Sequence, residues 1–592
     1  MRDPIVLVDD TRAEPPSALC FARPRSVITA KRPEDIEAAF RGLEEALSLG
    51  SHVAGYFGYD LGYFLEPRLA PPAPRASPRP LLWLGVFDAA ETLVGEQSGR
   101  FAQRNSACRA YAGPLQHEWS EAEYIARFHR VHALIGAGEI YQANLSFRSQ
   151  FAFVGDPLAL YRLLRESAAA AHCAYIDDGE RQILSLSPEL FFALSADRRI
   201  VAKPMKGTAA RHENASLDAA ARVHLRASNK ERAENLMIVD LVRNDLGRIA
   251  ELGSVSVEEL FAIETYPTVH QMVSTVTATL RPEAGVRDIV RALFPCGSVT
   301  GAPKIRAMEI IRELESSPRG LYCGAIGYFA PDGSAKFNVA IRTLTISGSR
   351  GELGVGGAVV HDSQAHSEYA ECLLKARYFG AARAPIELIE TLRWSPGEGF
   401  VRLDRHLARM ASSAATFGIQ FDRDGAVASL PNAINAHSDP MRFRLALAED
   451  GTFSCVATPL SPASSRWRFT VSPVRVSSND ALLRHKTSWR EMFEQEHSRA
   501  VSLGYDEIIF LNERGEITEG SRTNIFVRMH GKLVTPAISC GLLNGCLRQE
   551  LIDCSECSEA ILSSDDLVRA DEICLGNSLR GLISADLAGF PG

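Results

Sequence analysis

The stretch Ala381-Ala-Arg-Ala-Pro385 constrains the fold of this chain more than any other. Small alanines offer no large side chain to a core, and the proline biases the residue before it toward extended backbone, so the segment reads as a connector. The pattern of apolar runs starts afresh after it. The 592 residues are therefore read as two domains, 1–380 and 387–592, with a linker over 381–386.

In the first domain, apolar runs over 183–186, 321–328 and 352–360 alternate with helical stretches. This predicts a large α/β (or α+β) layered core over 118–378. Gly55-Tyr-Phe-Gly-Tyr-Asp60-Leu-Gly-Tyr-Phe64 suits a strand and turn, and Pro71 to Pro80 a Pro-rich surface loop. The second domain is smaller. Glu387 to Arg393 reads as a strand, and Val401 onward as an amphipathic helix with Asp404 placed to cap it. Alternating apolar residues around Asn512-Glu-Arg-Gly515 read as a hairpin.

A net charge of −8, with no basic tract interleaved with aromatics, argues against a nucleic-acid partner. No apolar run is long enough to span a bilayer and the start lacks an apolar targeting core, so a cytoplasmic enzyme is expected. Twelve cysteines are scattered, and Cys554-Ser-Glu-Cys557 has no second pair to complete a metal site. Gly297-Ser-Val-Thr-Gly301-Ala-Pro-Lys304 lacks the Gly-Lys-Ser/Thr order of a nucleotide loop.

Two acidic pairs share one spacing: Glu231 with Glu234, and Glu368 with Glu371. On helices each pair lies on one face. Facing one cavity, the four carboxylates would repel unless a cation sat between them, and hard oxygen ligands suit Mg²⁺.

Ser187-Pro-Glu189, Lys203-Pro-Met-Lys206-Gly-Thr208, Glu231 to Asp245, Glu264-Thr-Tyr-Pro-Thr-Val-His270, Gly301-Ala-Pro-Lys304 and His366-Ser-Glu368-Tyr-Ala-Glu371-Cys-Leu-Leu-Lys375 carry a wider signal. Together they resemble the chorismate-binding family of anthranilate, isochorismate, salicylate and aminodeoxychorismate synthases. Most relatives have alanine where Lys206 stands; the aminodeoxychorismate synthases have lysine. The resemblance implies that Glu189 is the acid that protonates the leaving hydroxyl and that Lys206 is the nucleophile. Lys203 lies three residues away and should face the other way, and Gly207-Thr208 matches the family after Lys206. By the same resemblance Glu234 and Glu371 are the closer Mg²⁺ ligands, with Glu231 and Glu368 acting through water. Arg342, Tyr328, His270, Gly356, Gly357 and Lys375 are implied to bind substrate.

The second domain resembles the fold-type IV pyridoxal-phosphate enzymes, and among them the aminodeoxychorismate lyases. The resemblance rests on His406-Leu-Ala-Arg409, His485-Lys486-Thr, Glu519-Gly-Ser-Arg-Thr-Asn524, Leu542-Leu-Asn-Gly545 and Asn577-Ser578. It implies that Lys486 anchors pyridoxal phosphate and moves a proton, and that Glu519 pairs with the pyridinium nitrogen. Arg409, Asn524, Asn577 and Ser578 are then phosphate ligands. Asn544-Gly545-Cys546 departs from the family's Pro-Gly-Val, which puts the local loop shape in question.

The expected function is amination of chorismate by ammonia, followed by elimination of pyruvate to give 4-aminobenzoate, a precursor of folate. These residues contain no Gly-x-Cys-x-Gly turn with a downstream His-x-Glu, so ammonia is expected from solution or a separate glutamine amidotransferase subunit. A homodimer through the second domain is implied by resemblance. Two alternatives remain open: an anthranilate synthase joined to an aminotransferase, and a second domain that serves only for dimerisation.

Overall fold

The chain divides between Ala382 and Arg383, inside the expected linker. The computed structural model describes residues 3–69, 79–97, 109–168, 170–266, 269–381, 383–430, 439–462 and 464–589; most of the stretch read as a Pro-rich loop lies outside them. The second unit is larger than 387–592, because it also takes in Asn105–Gly113 and Ala152–Ala159. Within it, Ala110–Ala112 pairs antiparallel with residues 153–155. The side chains of Tyr111 and Val154 are buried with Ile386, Leu407 and Phe417. Such long-range pairing leaves no local trace in the sequence, whose pattern puts these segments in the first domain.

Two sheets build the first unit. One runs in the order Gln142–Gly155, Arg350–Val359, Thr343–Ser347, Gln182–Ser187, His172–Asp177, Ile5–Asp10. The other runs Met205–Ala210, Val269–Thr279, Arg199–Ala202, Leu190–Leu194, Ala335–Val339, Ala325–Phe329, His52–Phe57. The neighbouring strands with a defined register pair antiparallel, so the arrangement is α+β rather than a string of parallel βαβ units.

The chain changes sheet twice at one place. Gln182–Ser187 lies in the first sheet and Leu190–Leu194 in the second; Ala335–Val339 lies in the second and Thr343–Ser347 in the first. The two crossings are tied together by Val339 N–H to Glu189 O at 3.1 Å and Leu186 N–H to Arg342 O at 3.1 Å. Glu189 and Arg342, far apart in sequence, are thereby brought to one end of both sheets.

Beneath the second sheet, Phe57, Phe192, Phe337, Val276 and Ile238 form part of a dry core. Phe192 and Phe337 stack at 5.2 Å. Burying each such side chain is worth about 2 kcal/mol. The helix Asn229–Gly247 starts where Ser228 Oγ accepts Glu231 N–H, and packs on Val269–Thr279 and Met205–Ala210. The helix Ala365–Lys375 packs on Arg350–Val359. Both acidic pairs are thus helical, as expected.

The run over 321–328 is a strand only from Ala325 on. Leu321 to Gly324 form a turn, with Gly324 N–H on Leu321 O and Cys323 at φ +64°.

In the second unit Leu388–Ser395 pairs with Met441–Leu447 in a four-stranded sheet. Glu507–Asn512 pairs parallel with Arg466–Val476 and antiparallel with Ile517–Gly520, which realises the expected hairpin. Asp404 is not the cap of helix Leu403–Phe417: Arg402, left-handed at φ +59°, precedes it. Asp404 instead sits in the first turn, where its charge favours the helix dipole, and pairs with Arg423 at 2.7 Å. Among the described residues the cysteines are free thiols, Cys554 and Cys557 included. No described helix is long and apolar enough to cross a membrane.

Two candidate active sites

Glu189 occupies the step between the two sheets and is 4% exposed. Burial raises its carboxyl to about 7, against the opposing pull of a 2.7 Å hydrogen bond from Ser298 Oγ, the Lys206 charge and the Met205 N–H. A carboxyl that is half protonated near neutrality is suited to proton donation.

Lys206 lies on Met205–Ala210, directly after the amide that touches Glu189. Burial lowers its ammonium, and Lys375 lowers it further, while Glu234, Glu189 and Glu371 oppose the shift. Gly207, at φ +87°, is needed next: a Cβ there would lie 2.8 Å from Glu231 Oε2. Lys203 lies in the break between Arg199–Ala202 and Met205–Ala210 and faces elsewhere, 3.8 Å from Glu264.

The two acidic helices converge on Lys206. Burial raises the carboxyls of Glu231, Glu234 and Glu368, and neighbouring glutamates raise them further. At Glu371 burial is overcome by Lys375, whose Nζ is 2.9 Å away, and its carboxyl falls below the usual value. Lys375 also donates to Gly356 O at 3.1 Å. Gly357 sits against Glu368, Cys372 and Lys375. No three of the four carboxylates bring ligand oxygens within 4.8 Å of one another. That spacing, with mutual repulsion, fits a Mg²⁺ that keeps several waters.

Arg342, at φ +49°, has no carboxylate ion pair among the described residues. Burial lowers its guanidinium, and the hydroxyls of Tyr378 and Tyr266 face it. The Tyr378 hydroxyl is buried without a partner. A desolvated guanidinium free of an internal anion suits a substrate carboxylate.

Two expected substrate residues are engaged by other partners. Tyr328 packs on Phe21 at 5.6 Å and lines a separate cavity with Asp9, Asp10, His172, Lys336 and Asn338. Strand alternation sends it to the opposite side from the site, a direction that its sequence position alone did not reveal. His270 is fully buried, with Nδ1 3.1 Å from Thr265 Oγ1 and Nε2 2.9 Å from Asp218 Oδ1. Asp218 also takes Arg211 at 2.8 Å. Both His270 nitrogens are thus engaged by protein, and neither partner is Glu189 or Lys206.

In the second unit Lys486 and Glu519 form the centre. Burial, with the charges of Arg490 and Arg409, lowers the Lys486 ammonium to about 7. Burial raises Glu519 to about 7, opposed by Arg490, the Leu543 N–H at 3.0 Å, Lys486 and Arg409. A lysine that is readily neutral beside a buried carboxyl is the chemistry that anchoring a pyridoxal aldehyde and pairing its pyridinium require. These residues fit the cofactor.

The expected phosphate ligands are already tied to protein. Arg409 donates to Glu390 through Nε at 2.8 Å and Nη2 at 2.6 Å, and to Asn544 O at 3.0 Å. Ser578 Oγ lies 2.8 Å from His406 Nε2. Asn524 donates to Leu543 O at 3.0 Å, and Asn577 accepts the N–H groups of Leu579 and Arg580. Their side chains shape the loops, so a phosphate would be met by the remaining Arg409 donors and by loop amides.

Glu390, His406 and Cys546 bring ligand atoms within 4.8 Å of one another. Burial opposes ionisation of Glu390, but Arg409 dominates and holds its carboxyl at about 2. That guanidinium already occupies both oxygens, which argues against a metal there.

Sequence reasoning gave Ser298, Tyr266, Tyr378, Arg490 and Glu390 no role. Only Glu390 carried a signal: a carboxylate in an otherwise apolar strand must be paired if buried.

Residues 4–380 match the profile described as chorismate binding enzyme, and residues 387–587 that of amino-transferase class IV. An aminodeoxychorismate synthase of Streptomyces griseus is 46% identical over 294 residues, covering 50% of this chain and 40% of that protein. Aminodeoxychorismate synthase component 1 of Klebsiella aerogenes is 41% identical over 335 residues, covering 54% of this chain and 74% of that protein. The solved anthranilate synthase component I of Streptococcus pneumoniae is 25% identical with a TM-score of 0.54, covering 61% of this chain and 92% of that one. The chain thus spans under half the length of the Streptomyces relative and about three quarters of the component 1 relative.

Proposed function

We infer that this chain, which belongs to the family of chorismate binding enzymes, aminates chorismate and then eliminates pyruvate to give 4-aminobenzoate. The observation that carries the reading is Lys206, a buried amine held between Glu189 and the acidic helices, where most of the family has a methyl group.

In the first step Glu189 donates its proton to the ring hydroxyl at C4, which leaves as water. Neutral Lys206 attacks C2 as that bond breaks. Ammonia then adds at C4 and expels the lysine, so that one ammonia enters and one water departs. Arg342 takes a substrate carboxylate, and Lys375 keeps Glu371 ionised at 2.9 Å. Mg²⁺ held by Glu234 and Glu371, with Glu231 and Glu368 through water, would neutralise a carboxylate of the substrate.

In the second step Lys486 removes the C4 proton, and pyruvate leaves from C3 as the ring becomes aromatic. Pyridoxal phosphate held at Lys486 would, once the substrate amine takes the lysine's place and frees it as the base, supply an electron-withdrawing ring that acidifies that proton. Glu519 would pair with the pyridinium nitrogen, and Arg409 with the neighbouring loop amides would hold the phosphate. A separate glutamine amidotransferase is the proposed source of ammonia, and the second unit the proposed dimer contact.

Supplying chorismate with ammonium or glutamine and following products by mass tests the reading. 4-Aminobenzoate and pyruvate are expected from ammonium alone. Anthranilate as the product would overturn the first step, and accumulation of aminodeoxychorismate with intact cofactor would overturn the second.

A further inference from the structure

Glu189 is held in a particular way. Its carboxyl is buried, and Ser298 Oγ lies 2.7 Å from Oε1. Ser298 belongs to the tight turn Gly297–Val299, is itself buried, and has Cys296 Sγ 3.2 Å from the same hydroxyl. A hydroxyl has one proton to give. With that proton on Glu189, the Ser298 oxygen accepts from Cys296. The thiol can play this part because burial, with the nearby Glu189 charge, pushes it up to about 12 and keeps its proton in place.

We propose that Ser298 is a positioning residue for Glu189: the relay Cys296 S–H, Ser298 O–H, Glu189 Oε1 reserves Oε2 for the proton delivered to the leaving hydroxyl. The proposal rests on the reading of Glu189 as the acid. Without the relay, the proton could sit on either oxygen, and half of those arrangements would turn the donor toward the turn. The Met205 N–H also bonds the carboxyl and ties it to the strand carrying Lys206. The other ionisable groups facing Glu189 are Lys206 from that strand, Cys296 beside Ser298 and Cys323 from the turn before Ala325. Asp245 lies across a small cavity that it lines with Glu189 and Cys296, and is neutralised by Lys304 at 2.6 Å. None of these replaces a donor to Oε1.

The test uses the full chain, with amination followed against pH at constant free ammonia. Ser298 stabilises the ionised carboxylate, so its loss raises the carboxyl further. In Ser298→Ala the alkaline limb of amination should move up by about one pH unit, a tenfold change in proton affinity, and the plateau should fall. Ser298→Thr, which keeps the hydroxyl, should leave the limb in place. Calorimetry on the same samples reports that the first unit, which carries Ser298, remains folded. A Ser298→Ala limb coincident with wild type, while Glu189→Gln abolishes amination, would overturn the positioning role. Full amination by Glu189→Gln would overturn the underlying acid assignment, and the relay with it.

Discussion

Replacing Glu189 by glutamine should stabilise the first unit while slowing amination. The carboxyl is raised from an ordinary 4.5 to about 7 because it is buried. That rise of about 2.5 units, at about 1.4 kcal/mol each, corresponds to about 3.5 kcal/mol. The native state holds this proton more tightly than the unfolded chain does. Below pH 4.5 both states are protonated and burial of the charge costs nothing. As the pH rises from 4.5 toward 7 the unfolded chain ionises first, and native stability falls. Above 7 the full cost is present. Glutamine has the same shape, accepts the Ser298 hydrogen bond and never ionises. Calorimetry should therefore show Glu189→Gln and wild type alike in acid. The variant should pull ahead through neutrality, by at most about 3.5 kcal/mol, which for a unit this large is roughly 4 °C in Tm. Amination measured on the same samples should drop by about 10²–10⁴, the usual worth of a general acid. A stability difference that does not change with pH would refute the burial argument, even if activity were lost.

Lys206→Ala should cut amination at least as far and spare elimination from supplied aminodeoxychorismate; product analysis by mass checks both. Chelation of Mg²⁺ should stop amination alone, and equal loss of both steps would refute the placement of the acidic helices around a single cation. Lys486→Ala should remove the visible absorbance of lysine-bound cofactor and let aminodeoxychorismate accumulate; release of 4-aminobenzoate at the native rate would refute the anchor. Tyr111→Ala should destabilise the second unit by about 3–5 kcal/mol, since Tyr111 is buried at 1% exposure against Phe417; thermal melting of the Lys486 region, followed through bound cofactor, reads this.

What was legible in the sequence followed physical locality. The i,i+3 spacing put each glutamate pair on one helix face because a helix has only one pitch. Lys203 parts from Lys206 because it lies, with Pro204, in the break between Arg199–Ala202 and Met205–Ala210. The hairpin at Asn512 to Gly515 was readable because its strands are neighbours in sequence. What failed was non-local. Tyr328 is implied as a substrate residue by resemblance alone, and its strand turns it onto Phe21. Tyr111 and Val154 pair with each other and then pack into a core built from residues beyond 386. Ser298 could not be assigned, because a serine in a Gly-rich turn gains meaning only when the turn is folded against Glu189, more than a hundred residues upstream.

The two sites solve one electrostatic problem in the same way. Each needs an amine that is neutral at working pH and a carboxyl whose protonation can be used. In water these demands conflict, since the lysine would be charged and the glutamate ionised. Burial alone moves both groups in the required direction, because it disfavours whichever form carries charge. Hence Lys206 is lowered while Glu189 rises, and Lys486 is lowered while Glu519 rises. The extra charges then set the difference between the pairs. At Lys206, Glu234 and Glu371 oppose the shift and Lys375 reinforces it, so a cation bound among those carboxylates would lower the amine further and couple metal binding to nucleophilicity. At Lys486, Arg490 and Arg409 already supply positive charge from within the protein. Metal removal should therefore weaken the first lysine as a nucleophile as well as loosening the substrate, and leave the second untouched. An amination pH profile whose alkaline and neutral rates fell by the same factor on partial Mg²⁺ depletion would count against the coupling; a larger loss at neutral pH is the outcome the charges require.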